Sequence, residues 1–485
     1  MADSMRVGQV MSINMLPDDV LLSIYDFCAD EYQVTKEEIE AWQSLVHVCR
    51  RWRNLVFGSP RRLKLRLFCS EKTPARDTLD VWPPLPLAIQ RSLSEGLDDI
   101  IAVLEHRNRV NSIYFWQPEW QADGSVLEKV LAAMLEPFPK LKLLRLLSPI
   151  KPMPVLPDSF LGRSTPRLRF LELDGIPFPG LPKLLLSATN LVALHLSNIP
   201  HSGYLSPEAV VTSLSSLTSL ELLRLKFQSS RYHPDLAIRR LFPPTRSVLP
   251  ALTIFSFKGV CEYLDDFVAR IDAPRVDDLS ITFFNDIVFD APQFTKFINR
   301  TPTLKALENA SVIFEDRAAS VSFSQTSGSG SFKVRISCRD LDWQISSLEQ
   351  VCTSCLPPLS STEDLYIYPD PYSRPHWQNN NPFSRPHWQD NIENSLWLEL
   401  LHPFTAVKNL YLSEESAPFI APALQELVEG RPTEVLPTLQ NIFLEGLQSS
   451  GPVHEGIGKF VAARQLSSHP ITVSLWESSV TEVDD

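Results

Sequence analysis

The chain has 485 residues, 44% of them apolar, and a formal charge of −12, with a pI near 5.4 and a mean hydropathy of −0.06. It can bury a large core but is too long for one ordinary compact domain, so two units or one elongated array are expected. The acidic balance argues against a general nucleic-acid or anionic-membrane surface, because counterion release needs a basic face.

No membrane span is predicted: the richest leucine run, Leu181 to Pro200, is interrupted by Lys183, Asn190, His195 and Asn198. The start of the chain carries Asp3 and Arg6 and no apolar h-region. Seven scattered cysteines fit a reducing compartment, so an intracellular location, cytoplasmic, nuclear or both, is expected. Forty prolines against sixteen glycines point to many stiff segment ends rather than flexible linkers.

Residues 1–12 are read as disordered, and residues 13–60 as three short helices. In the first, Pro17 occupies a position where a missing N–H is tolerated, and Asp18 and Asp19 suit the positive end of the helix dipole. Val20, Leu21, Ile24, Phe27 and Cys28 recur at helical spacing as one apolar stripe. After a polar stretch from Asp30, Thr35 and Glu38 form a capping-box pattern ahead of Ile39, Trp42, Leu45, Val46 and Cys49. Trp52, Leu55 and Val56 make a third apolar set, interleaved with Arg50, Arg51, Arg53 and Asn54. Helices this short and this apolar leave surface for a partner.

These residues carry a family resemblance. The run Leu16-Pro17-Asp18-Asp19-Val20-Leu21-Leu22, with Val48-Cys49-Arg50-Arg51-Trp52-Arg53-Asn54-Leu55 downstream, resembles the opening and closing segments of the F-box. The resemblance implies docking onto the Skp1 adaptor of an SCF-type cullin-RING ubiquitin ligase. Its contacts would be Leu16, Pro17, Val20, Leu21 and Ile24, with Cys49, Trp52 and Leu55 from the closing segment. The Asp30 to Glu38 connection is longer and more acidic than the family's, and no Asp-Leu pair opens the second helix. A helical cap on the end of a larger array is the alternative reading of the same helices.

Residues 61–476 carry an internal repeat. A template Leu-x-x-Leu-x-Leu, with Val, Ile or Phe substitutions, starts at Val110, Leu141, Leu168, Leu191, Leu220, Leu252, Val276, Thr362, Val407 and Leu439, with a partial copy at Leu304. Starts up to Leu304 lie about 23 to 32 residues apart, a spacing that brackets the period of leucine-rich repeats. The gap to Thr362 predicts one more unit around Phe332 to Trp343. Each unit offers a short strand whose leucines point inward, then a return segment, and stacked units pair their strands along a concave side. Prolines just ahead of many copies, such as Pro139, Pro166 and Pro250, mark where each strand begins.

The fold class predicted is therefore α/β: a short three-helix module followed by an irregular leucine-rich-repeat solenoid with a concave parallel β-sheet. Irregularity follows from the missing asparagine ladder, whose positions read Pro149, Ile176, Ile199, Gln228, Val260 and Phe284. Strand alternation places Tyr114, Trp116, Arg145, Glu172, Asp174, His195, Arg224, Lys226, Ser256, Lys258, Tyr366, Tyr368 and Tyr411 on the concave face, the candidate target-holding surface. Ser320 to Ser331 reads as a surface loop. The Arg374-Pro375-His376-Trp377 segment repeats as Arg385-Pro386-His387-Trp388, either a recognition loop or a local duplication without a role. Residues 477–485 form an acidic tail. With Thr73 to Pro83 and Leu396 to Phe404, the chain as a whole looks like fungal F-box proteins with a degenerate leucine-rich C-terminal region.

No catalytic motif stands out. Cys352-x-x-Cys355 lacks partners at zinc spacing and reads as two small core residues, and Gly456-Ile457-Gly458 reads as a helix start rather than half of a dinucleotide loop. No metal site and no cofactor are expected. The basic run from Arg50 to Arg66 is a solvated face or meets an acidic partner. The expected function is a non-enzymatic adaptor linking Skp1 and a cullin scaffold to an unidentified target protein, with no nucleic acid and no membrane. The alternatives are a leucine-rich scaffold unrelated to ubiquitin and a hydrolase without a recognisable nucleophile motif.

Overall fold

The computed structural model describes residues 16–27, 46–59, 66–70, 79–80, 82–94, 96–118, 125–148, 154–230, 245–284, 291–305, 307–325, 330–354, 359, 361–369, 392–428, 433–446 and 451–476. In chain order the elements are α1 (Asp18–Phe27), α2 (Arg50–Gly58), β1 (Leu67–Cys69), β2 (Leu87–Ser92), α3 (Leu97–Glu105), β3 (Val110–Trp116), α4 (Ser125–Ala133), β4 (Leu143–Leu147), β5 (Phe170–Asp174), α5 (Leu181–Leu185), β6 (Ala193–Ile199), α6 (Pro207–Leu214) and β7 (Leu222–Phe227). They continue with β8 (Ser247–Val248), β9 (Ile254–Gly259), α7 (Cys261–Ala269), β10 (Ile271–Asp272), β11 (Asp278–Phe283), α8 (Pro292–Arg300), β12 (Asn309–Glu315), β13 (Ala318–Ser324), β14 (Ser331–Ile336) and α9 (Leu341–Ser354). Last come β15 (Asp364–Pro369), α10 (Asn394–Leu401), β16 (Asn409–Leu412), α11 (Ala417–Glu426), β17 (Asn441–Glu445), α12 (Pro452–Leu466) and β18 (Thr472–Trp476).

One structural unit recurs. The first template residue closes a tight turn by donating its N–H to the carbonyl three residues back: Leu141 to Phe138, Leu168 to Thr165, Leu252 to Leu249, Val276 to Ala273, Leu304 to Thr301 and Leu439 to Leu436. In each of these the second turn residue is proline, at the position where a fixed φ near −65° is already right. Part of the proline excess is thus turn chemistry shared by these six units, while the same turn ahead of Leu191 and Leu220 carries Thr189 and Thr218. The next two template residues lie on the strand and face the helices. Leu144 and Leu146, Leu171 and Leu173, and Leu223 and Leu225 are each at most 2% exposed. A single unit has no second wall for these leucines, so neighbours supply it and one core runs through the stack.

Sixteen of the described strands form one sheet, in the order β1-β2-β3-β4-β5-β6-β7-β9-β11-β14-β13-β12-β15-β16-β17-β18. Register holds across it, as in Leu144, Leu171, Leu194 and Leu223 side by side. The sheet departs from the expected all-parallel array in one place. Where one more repeat was predicted, the chain inserts the meander β12–β13–β14, with β13 antiparallel to both neighbours. Phe332 belongs to β14 and Trp343 to α9. The chain passes from β11 through α8 to β12, returns strand by strand to β14 beside β11, then crosses through α9 to β15 beside β12.

The predicted Ser320 to Ser331 loop begins as strand: over Ser320 to Ser324 of β13, Val321 and Phe323 alternate into the core while Ser322 and Ser324 face out, and residues 326–329 lie outside the described residues. The array also extends beyond the template copies, with β1 and β2 ahead of Val110 and β18 after Leu439. Gly456 does not start a helix but lies inside α12. A Cβ there would stand 3.3 Å from the Ala421 carbonyl, so the glycine lets α12 approach α11 closely.

The N-terminal helices α1 and α2 pack together. Arg51 clasps them, donating to Asp18 Oδ1 at 2.5 Å and to the Leu16 carbonyl at 2.7 Å. Of the second predicted helix, Thr35 through Leu45 lies outside the described residues, while Val46 is buried and Cys49 stands in extended backbone just ahead of α2; residues 1–12, the duplicated Arg-Pro-His-Trp segments and the acidic tail also lie outside.

Candidate functional site on the open face of the sheet

Alternation sends every second strand side chain to the face away from the helices, and the register lines these side chains up in rows across the strands. Tyr114, Arg145, Glu172, His195, Arg224, Ser256 and Ser280 are successive register partners on β3 to β11. Trp116 and Asp174 lie on the next row, as do Lys226 and Lys258. Tyr366 and Tyr411 are partners on β15 and β16, with Tyr368 two residues further along β15. All of the predicted concave-face residues therefore share this face. The architecture is that of a leucine-rich-repeat-like solenoid.

The face divides into three zones. In the first, on β3 to β6, the Arg145 guanidinium lies 4.7 Å from the Phe170 ring centre and 5.7 Å from that of Tyr114. Its Nε stands 2.8 Å from Glu172, and the Tyr114 and Trp116 rings sit 5.1 Å apart. Burial opposes ionisation of Glu172, but the His195 ring, whose Nδ1 stands 3.9 Å away, and the charges of Arg145 and Arg224 outweigh it, so the carboxyl lies below its ordinary value. His195 is on this face, yet only 6% exposed, packed against Phe170 at 4.9 Å. It is therefore not an accessible anchor on this face.

The second zone is cationic. Lys226 on β7, Lys258 on β9, Arg335 on β14 and Arg317 from the β12–β13 turn line an open pocket together with Asp174 on β5, and Arg224 and Lys333 stand on the same strands nearby. Burial, then Arg224 and Lys258, pull the Lys226 ammonium below its ordinary value, with Asp174 acting the other way. Arg335 is held by Glu315.

The third zone is aromatic. Tyr366 and Tyr411 stack at 4.2 Å and 10°, Tyr411 and Phe443 at 4.5 Å and 8°, and Trp476 meets Tyr411 edge-on at 5.5 Å. Burial first, then the neighbouring Tyr411 and Asp364, push the Tyr366 phenol up to about 12. Beneath the stack Thr472, Asn441, Asn409 and Asp364 form a chain of side-chain hydrogen bonds across four strands.

Lys333, Arg335, Arg317, Phe443 and Trp476 were not singled out from the sequence. Phe443 follows from the same alternation, since Ile442 and Leu444 point inward around it, whereas on the edge strand β18 Val473 and Leu475 are exposed and give no such signal for Trp476. Lys333 and Arg335 sit between Phe332, Val334 and Ile336, a clear period of two hidden only by the expectation of a repeat unit there.

At the N-terminal end, the side chains implied by the F-box resemblance separate into two groups. Leu21 and Trp52 are 0% and 5% exposed and hold the module together, so they are core residues in this chain rather than free contacts. Pro17 and Val20 face solvent, Leu16, Cys49 and Leu55 are half-buried, and the Ile24 side chain lies outside the described residues.

No family model matches the chain, and no curated protein matches it. Among solved structures, it is similar to the leucine-rich repeat-containing protein LegL7 from Legionella pneumophila, at 12% identity and a TM-score of 0.27, over 82% of this chain and 97% of that one. Among the described residues no group of three or more His, Cys, Asp or Glu could hold a metal ion, and no helix is long and apolar enough to cross a membrane. Cys352 is buried in α9, and Cys355 lies outside the described residues.

Proposed function

We propose that this chain is a non-enzymatic substrate-recognition adaptor of an SCF-type ubiquitin ligase, in which the N-terminal module binds Skp1 and the open face of the solenoid binds the target protein. The observation that carries the reading is the paired F-box-like segments, Leu16 to Leu22 and Val48 to Leu55. Their helices are joined through the Arg51–Asp18 ion pair, with Pro17 and Val20 left on the outside. Such an adaptor needs no catalytic group or cofactor of its own, because holding the target near a charged conjugating enzyme raises its effective concentration there. Aromatic and arginine side chains on the open face are the residue types that anchor protein partners. The location that goes with this role is intracellular.

The test is co-elution of the intact chain with purified Skp1 on size exclusion. A one-to-one complex is expected, lost in a Pro17→Ala/Val20→Asp variant whose circular dichroism is unchanged. A well-folded parent that elutes apart from Skp1 removes the ligase from the account.

A second reading, a leucine-rich scaffold unrelated to ubiquitin, is favoured by one observation. The core of the helical module runs on into that of the sheet, with Trp82 edge-on to both His47 and Phe57. On that reading α1 and α2 only cap the stack. A chain that binds a protein on its open face and ignores Skp1 belongs to it.

A further inference from the structure

The two ends of the sheet are not alike. At the first, β1 is three residues long, and Leu67, Phe68 and Cys69 are all buried. At the last, β18 pairs with β17 on one side, and no other described strand lies beyond it. Val473 and Leu475 are register partners of Ile442 and Leu444, whose side chains are buried in the core. They point the same way yet are 39% and 75% exposed, and Leu466 at the end of α12 is 89% exposed. Each stacked unit needs a neighbour to close its core, and among the described residues the last unit has none.

Natural edge strands are guarded by a charge, a proline, a bulge or shortness. Thr472-Val473-Ser474-Leu475-Trp476 carries neither charge nor proline. Its register to β17 is unbroken, and it is as long as β4 or β5 inside the sheet. In a chain of net charge −12, an uncharged edge is where a second copy meets least repulsion. The backbone directions follow from the pairing. Thr472 donates its N–H to the Gln440 carbonyl. Alternate residues turn their N–H and C=O groups to the same side, so those of Ser474 and Trp476 face β17, and those of Val473 and Leu475 face outward.

We propose that β18 pairs antiparallel with β18 of a second copy of this chain, about a two-fold axis through Ser474. The match is self-complementary. Val473 stands opposite the partner's Leu475, and Leu475 opposite the partner's Val473. The outward backbone groups of both pairs exchange hydrogen bonds. Their side chains meet on the helix side and cover each other, so both open cores close at once. On the open face Trp476 stands opposite the partner's Thr472. Antiparallel pairing also keeps apart the two Trp476 ends, after which the sequence turns acidic. Head-to-tail stacking would need the β1 edge, which is short and covered, so the assembly closes at two copies. The F-box-like helices meet the array near Trp82, ahead of β2, so the pairing is independent of what they bind.

Sedimentation equilibrium of the intact chain over a concentration series reads the association. The mass should rise from 54.9 kDa to twice that value, with a dissociation constant on the order of 10 μM, as suits a small interface. Val473→Lys/Leu475→Lys sets lysine opposite lysine in both pairs and should weaken association at least tenfold. Its circular dichroism should be unchanged, since both side chains are exposed in the single chain. Val473→Lys/Leu475→Glu sets lysine opposite glutamate in both pairs and should associate at least tenfold more tightly than the double-lysine chain.

A parent still monomeric at roughly ten times that dissociation constant overturns the proposal, whether β18 is left open or is covered by the chain's own residues 477–485. Equal association of the parent and the double-lysine chain overturns it as well. Failure of the lysine–glutamate chain to recover contradicts the two-fold register, and masses that climb past the dimer contradict closure at two.

Discussion

The Asn441 side chain donates an amide N–H to the Asn409 side-chain oxygen at 2.7 Å, across β16 and β17. Asn409 in turn donates to the Asp364 carboxylate at 2.6 Å, and the Thr472 hydroxyl donates to Asn441 at 2.5 Å. The chain of donors runs one way and ends on a charge, an arrangement in which each bond polarises the next. Asn409 and Asn441 each both donate and accept, and Asn409 is the one that donates to the charge. Asn409→Leu should cost about 2 kcal/mol, since a hydrogen bond to a charged group is lost with its neighbour's. Urea denaturation measures the total, and hydrogen exchange should place the loss in β15 to β18. Thr472→Val, at the end of the chain, should cost less.

Helix α8 is capped by its neighbour. Its own N-cap position is Ala291, which has no side-chain acceptor. The Asp265 carboxylate on α7 instead accepts the N–H groups of Gln293 and Phe294 at 2.7 and 2.9 Å. This couples two successive units through a helix end. Asp265→Ala should cost about 1–2 kcal/mol by denaturant titration, as loss of a good N-cap does. Asp265→Asn keeps an acceptor oxygen and should recover at least half of it.

A buried ion pair stabilises the first units. Arg91 stands on the inward row of β2, level with Phe115, and pairs with Asp99 on α3. Asp99→Asn leaves the guanidinium without its counter-charge in a low-dielectric site and should destabilise by about 3–5 kcal/mol. Arg91→Met/Asp99→Leu should recover most of that loss, because it removes both charges and keeps the volume. Thermal melts of the three chains distinguish a pair that needs its partner from one that needs only its packing.

The Glu172 carboxyl titrates below its ordinary value of 4.5. A folded-state value below the unfolded one means that the ionised form stabilises the fold above about that pH, and that this contribution is lost as pH falls through the lowered value. Glu172→Gln should therefore be less stable than the parent at pH 7. The gap should narrow below pH 4.5 and close under acid conditions. A gap that is constant from pH 7 to 3 would assign Glu172's contribution to packing alone.

Much of this fold was legible because one pattern recurs. The leucine template located β3 to β7, β9, β11, and β15 to β17, and each proline ahead of a copy marked its turn. What stayed hidden has physical reasons. The serines around Val321 and Phe323 made this segment read as a surface loop, and alternation says nothing about strand direction, so neither β13 nor its antiparallel pairing was foreseen. At β2 an inward position is occupied by Arg91, and at the edge strand β18 Val473 and Leu475 are exposed, so neither carries the template. Alternation also determined which side chains share the open face. It could not show that His195 is covered, because that depends on how Phe170 leans across from the next strand. Nor could spacing reveal that Leu21 and Trp52 are buried in the core, a matter of how α1 and α2 rotate as they pack.

Amide hydrogen exchange of the intact chain, with and without saturating Skp1, tests the adaptor reading most directly. The account predicts slower exchange over residues 16–23 and 46–57, with the open-face strands β3 to β17 unchanged and free for a target. Unchanged exchange throughout, or protection appearing on the open face instead of the N-terminal helices, would contradict it.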